Sequence, residues 1–85
     1  MSKPREIVSY FACKMEDVLQ ENEAKGKTGW GSGNCDIEYL ERKLVEEFAE
    51  YFDGVNHGSH LLNRELIDIA NVAMMLWSRR TGRIA

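Results

Sequence analysis

The sequence predicts an all-α fold: a small antiparallel bundle of about three helices, completed by oligomerisation. Three observations predict it. Apolar residues recur at three- and four-residue steps through most of the chain. Val, Ile and Thr never form an alternating run, whereas the helix formers Glu, Leu, Ala, Lys and Met are common. The one proline stands at position 4, ahead of the periodic segments. At 85 residues the chain makes one domain, 1–85, of a size that is often marginal unless it oligomerises or binds a metal.

The first helix is expected over residues 4–24. Pro4 suits a first-turn position. Ile7, Tyr10, Phe11, Met15, Val18 and Leu19 then form one apolar stripe, with Lys14, Glu16, Asp17, Glu21 and Glu23 mostly off it.

Residues 25–35, K-G-K-T-G-W-G-S-G-N-C, break the pattern, because four glycines in eleven residues do not sustain a regular helix. A plain loop with a packed Trp30 accounts for the composition. A loop covering a phosphate also contains lysines beside glycine backbone, here Lys25 and Lys27. The P-loop pattern itself is absent: no Gly-Lys-Ser/Thr follows at the right spacing and no strand precedes.

Asp36 reads as the N-cap of a second helix over 36–53, with Gly54 as its stop. Ile37, Leu40, Leu44, Phe48, Tyr51 and Phe52 are its apolar positions. Residues 54–60 are expected to connect two antiparallel helices. His57 and His60 lie there as exposed loop histidines, since a histidine metal site needs more ligands than these two. The third helix is expected over 60–80, with Ser59 as a possible cap and Arg79 and Arg80 in the last turn, where cations favour the helix dipole. Between Leu66 and Trp77 its only polar residues are Asp68 and Asn71. A helix apolar nearly all round must be covered on several sides. Three short helices can hardly cover it, so a subunit interface is expected, with the second and third helices of one chain packing on those of another.

The net charge of −3 argues against nucleic acid as the main partner. No apolar run approaches the about 20 residues that span a bilayer, so no membrane partner is expected. No secretory h-region precedes Lys14, and Cys13 and Cys35 sit in no metal-type spacing. Two free thiols fit a reducing cytoplasm.

Glu46, Glu47 and Glu50 on the second helix and Glu65 and Asp68 on the third carry the chemistry. Within each helix the three-residue spacing puts the acids on one face. Glu47 and Glu50 can then meet Glu65 and Asp68 across the groove. Four converging carboxylates repel one another, so a counter-ion or protonation is required. An all-oxygen, acid-rich set suits Mg²⁺, with Mn²⁺ as a substitute, and Mg²⁺ commonly takes substrate phosphates as further ligands. Two bland readings compete. Glu46, Glu47 and Glu50 alone resemble a solvated acidic face. A structural salt-bridge network using Arg42, Lys43 and Arg64 needs no metal, though such networks add little net stability when buried.

Glu47-x-x-Glu50, fourteen intervening residues, then Glu65-x-x-Asp68 resembles the E-x-x-E…E-x-x-D signature of the MazG-like all-α nucleoside triphosphate pyrophosphohydrolases. Lys25-Gly…Gly29-Trp30, Leu40-x-x-Lys43-Leu-x-Glu46-Glu47 and Asp68-Ile-Ala-Asn71-x-Ala-Met-Met are similar to the phage-type dATP/dGTP diphosphohydrolase (MazZ-like) branch. The likeness covers about residues 10–78. It implies Mg²⁺-dependent cleavage of a nucleoside triphosphate, a purine dNTP by the branch, to the monophosphate and pyrophosphate. It implies Glu47, Glu50, Glu65 and Asp68 as metal ligands and Glu46 as a water-orienting acid beside Glu47. It further implies Asn22, Lys25, Trp30, Lys43 and Asn71 at the substrate, with Lys25 on phosphate and Trp30 near base or sugar. Many members add a C-terminal helix beyond the stretch matched here, which leaves a partner subunit to supply that wall. The rival expectation is a non-catalytic helical interaction protein, or a nucleotide-binding regulator, pairing through the Met/Leu/Trp-rich third helix.

Overall fold

A computed structural model describes residues 2–27, 36–58 and 62–83. They form three helices, α1 (Glu6–Ala24), α2 (Ile37–His57) and α3 (Leu62–Thr81). The all-α expectation holds. Trp30, Cys35, Ser59 and His60 lie outside the described residues.

α3 is the central element, and both α1 and α2 pack on it. Cross-helix pairs fix the directions. Glu41 meets Arg80, and Glu47 and Glu65 converge with Asp68, so α2 runs antiparallel to α3. Glu21 meets Arg64 while Met15 meets Asn71, so α1 is antiparallel to α3 as well.

Local chemistry sets the helix ends. α1 starts two residues later than expected, at Glu6: Arg5 is the N-cap and Pro4 precedes it, rather than sitting in the first turn. At the other end the Gly26 N–H donates to the Glu23 carbonyl and the Lys27 N–H to the Asn22 carbonyl, both at 2.9 Å. That double closure needs a left-handed residue, and Gly26 supplies it at φ 83°. Asp36 caps α2 as expected, its Oδ1 accepting from the Tyr39 N–H at 2.7 Å.

Gly54 does not end α2. The helix runs through it to His57 and ends at Gly58, φ 68°. A glycine inside a helix costs only about 1 kcal/mol, so it marks a stop only where a left-handed φ is needed, four residues further on. His57 therefore lies in the last helical turn, not in a loop, and its Nδ1 lies 2.8 Å from the Asp53 carbonyl oxygen. α3 ends before Gly82, with Ser78 Oγ donating to the Arg83 carbonyl.

The buried apolar core among the described residues is small: Val18, Leu40 and Val72. Three polar residues, Glu47, Asn71 and Ser78, are equally buried. The apolar stripe of α1 is only half used. Met15, Val18 and Leu19 pack inward, while Ile7 and Tyr10 remain 69 % and 61 % exposed. Phe48 and Phe52 on α2 and Leu66 and Trp77 on α3 are exposed too. No described helix is long and apolar enough to cross a membrane.

Candidate metal centre

The antiparallel register of α2 and α3 brings Glu47 opposite Glu65 and Asp68. One carboxylate oxygen from each lies within 4.8 Å of the others. Glu47 is 6 % exposed, and Glu65 and Asp68 are half-buried. Glu47 Oε2 and Glu65 Oε2 are buried and accept no hydrogen bond from the described residues. Buried carboxylate oxygens without a donor are costly, so the arrangement suits a ligand that satisfies them.

The proton affinities record that strain. Burial, with Glu50 and Asp68 close by, pushes the Glu47 carboxyl up to about 7. Burial also raises Glu65, helped by the charges of Glu50 and Asp68, although Arg64 pulls the other way. Burial raises Asp68 as well, although Arg64 pulls the other way. All three therefore sit above the ordinary carboxylate range at a place where metal-free repulsion is expected.

Glu50 is exposed and stands beside the cluster rather than in it. Three acids converge, where the sequence pattern suggested four. Glu46 points outward, its side chain 64 % exposed, with Lys43 Nζ 3.7 Å away. Lys43 also lies 3.4 Å from Glu47. Burial draws the Lys43 ammonium down, but Glu47 and Glu46 outweigh it and leave the group above its ordinary value.

A cleft of about 460 Å³ opens beside the acids, within the range of small-molecule sites. Glu47 and Asp68 line it together with Asn22, Lys25, Lys43 and Asn71, all singled out from sequence. The glycine closure of α1 explains how Lys25 and Lys27 come to its rim. Asn71 is 3 % exposed; its Nδ2 donates to the Met15 carbonyl at 3.2 Å, and its buried Oδ1 accepts no hydrogen bond from the described residues.

Family models, characterised proteins and solved structures give no match to this chain. The site is therefore read from its own geometry.

That geometry adds residues that the motif reading passed over. Arg64 lines the cleft, with Nη1 2.9 Å from Glu21 and Nε 3.4 Å from Asp68. Tyr39 lines it as well, beside Lys27, which the glycine-rich stretch already offered for a phosphate. The i,i+4 spacing of Arg64 and Asp68 was a usable signal for the first of these. The salt-bridge alternative is realised in part. Lys43 and Arg64 do lie on the acids, whereas Arg42 turns away to Glu38 on the exposed face of α2.

Proposed function

We propose that this protein is a Mg²⁺-dependent nucleoside triphosphate pyrophosphohydrolase. Water would attack the α-phosphorus, the bond to the α–β bridging oxygen would break, and the monophosphate and pyrophosphate would leave. The observation that carries this reading is the pairing of two features in one cleft. Three carboxylates converge, two of them (Glu47 and Glu65) with a buried oxygen that has no donor among the described residues, and Lys25, Lys27, Lys43 and Arg64 line the adjoining wall. The resemblance of the acid pattern to the MazG-like enzymes supports the same chemistry.

The donor set fits a hard divalent ion, being all carboxylate oxygen without thiolate or imidazole. Glu47, Glu65 and Asp68 would hold it, and Glu50 is a further ligand by resemblance alone. Such an ion supplies Lewis-acid stabilisation of charge on the phosphoryl oxygens. The chain's own residues do the positioning, which is most of what phosphoryl transfer requires. Lys25 and Lys27 bind phosphate at the rim, and Lys43 binds it from α2. Glu46, which faces outward beside Glu47, is assigned to the attacking water by resemblance alone. Asn22 and Asn71 bind the remainder of the nucleotide, with Trp30 assigned to base or sugar by resemblance alone. A purine dNTP is the substrate that the resemblance favours, and cytoplasmic location is part of the same reading.

The exposed apolar side chains Ile7, Tyr10, Phe48, Phe52 and Trp77 support a homodimer or homotetramer. They equally favour the second reading, a non-catalytic helical interaction protein. A dNTP panel with Mg²⁺ and product identification separates the two. The enzyme reading expects pyrophosphate, not orthophosphate, from at least one nucleotide. A folded assembly that turns over none of them rules the enzyme out.

A further inference from the structure

We propose that Arg64 is a phosphate-positioning residue that the metal-free site stores on Asp68 and that metal binding releases towards the cleft. This deepens the function proposed above and rests on it.

The lengths of the ion pairs carry the inference. Arg80–Glu41 and Arg64–Glu21 close at 3.0 and 2.9 Å, ordinary distances for a charged pair. The two pairs that reach into the acid cluster are longer: Arg64 Nε–Asp68 Oδ1 is 3.4 Å and Lys43 Nζ–Glu47 Oε1 is 3.4 Å. At that length a hydrogen bond is near the edge of useful geometry. The cations neutralise the acids without being committed to them.

Both acids also belong to the three-oxygen cluster. A divalent ion on that cluster competes for the charge that holds Arg64 and Lys43 in place. Asp68 then has less attraction for Arg64, while Glu21 still tethers the guanidinium by Nη1. The side chain is 37 % exposed and already lines the cleft, so it can turn to an anion there without leaving its anchor. A planar guanidinium suits a phosphate better than an ammonium does. Metal and phosphate should consequently strengthen each other's binding, beyond what direct coordination gives, because each relieves the other's competitor.

The test uses the full chain, with Mn²⁺ and inorganic pyrophosphate as probes, titrated separately and together by calorimetry. Arg64→Gln should leave Mn²⁺ affinity unchanged or tighter and weaken pyrophosphate binding in the presence of Mn²⁺ by about tenfold, the worth of one charge-assisted hydrogen bond. Arg64→Lys should fall between. Glu21→Gln should bind pyrophosphate no more weakly than wild type, because only the tether is lost. Arg80→Gln, which removes a distant ion pair, should match wild type. Equal loss of both affinities in Arg64→Gln, or no loss, overturns the proposal, as does a Glu21→Gln variant that weakens pyrophosphate as much. If Arg64→Gln fails to fold, Arg64→Lys and Glu21→Gln carry the same contrast. A wild-type chain that binds neither probe removes the enzyme reading and this inference together. Normal wild-type binding with an indifferent Arg64 removes this inference alone.

Discussion

The two ends of α3 both carry polar side chains and treat them in opposite ways. At its start, Glu65 and Asp68 face Glu47 with displaced proton affinities, and one buried oxygen each of Glu47 and Glu65 finds no donor among the described residues. At its end, Arg80 pairs with Glu41 at 3.0 Å, Thr81 Oγ1 donates to the Trp77 carbonyl at 2.7 Å, and Ser78 Oγ donates to Arg83. Among the described residues only Arg79 Nε breaks that pattern. One helix thus shows what folding alone accomplishes at one end and what it leaves undone at the other. Local rules are satisfied where structure is the only requirement, and violations collect where a ligand is expected.

The largest effect that separates the ends is on turnover. Asp68→Asn keeps the shape and removes a charged oxygen from the cluster. Pyrophosphate release should drop by about 10³-fold or more, since several kcal/mol of metal-borne stabilisation are at stake. A coupled phosphate assay reads this directly. Near-wild-type turnover in Asp68→Asn would erase the functional half of the contrast.

pH gives the next largest effect. Glu47 holds its proton to about pH 7 in the folded chain, against an ordinary value of 4.5. Between those values the native state binds a proton that the unfolded state has lost. The stability contribution is therefore fully present below about pH 4.5 and is lost as pH rises to about 7. The sum is about 3 kcal/mol for that interval. Metal-free protein should melt at lower temperature at pH 8 than at pH 6, and millimolar Mg²⁺ should recover most of the loss at pH 8. Thermal melts by circular dichroism at both pH values, with and without Mg²⁺, check it. A melting temperature indifferent to both would mean that the acids repel too little to need an ion.

A smaller contrast sets Asn71 against Ser78, two buried polar residues two turns apart. Asn71→Leu removes both an amide donor and an oxygen with no partner, so its stability should change by less than about 1 kcal/mol. Ser78→Ala abandons the satisfied bond to Arg83 and should cost about 1 kcal/mol. Only the Asn71 variant should also lose turnover. Urea denaturation and the pyrophosphate assay separate the two readouts. Equal turnover in both variants would leave Asn71 a packing residue.

Much of this contrast was legible in the sequence. The 3.6-residue periodicity placed all three helices because an amphipathic pattern has one solution in the backbone. The spacing Glu47 to Glu65–Asp68 pointed to one groove because a short connection forces neighbours. Three features were not legible. Gly54 and Gly58 look alike in sequence, and only the φ that the chain adopts decides which one ends α2. Glu47 and Glu50 share the three-residue step of Glu65 and Asp68, yet Glu50 is exposed, because the spacing alone does not fix how the helix face is turned towards its neighbour. Arg64 was read as a competitor of the metal, because sequence spacing shows that it can reach Asp68 but not that it also faces the cleft.

The smallest effect belongs to the satisfied end. Arg80 and Glu41 are 59 % and 52 % exposed, so water and salt screen their attraction. Arg80→Gln should therefore cost less than about 1 kcal/mol, and should cost still less in high salt. Its pyrophosphate release should equal that of wild type. Chemical denaturation at low and high ionic strength, beside the turnover assay, is sufficient. A large loss of activity here would mean that the α2–α3 register, and not the local acid chemistry, controls the site. A small loss of stability with full activity confines the chemistry to the first two turns of α3 and the face of α2 opposite them.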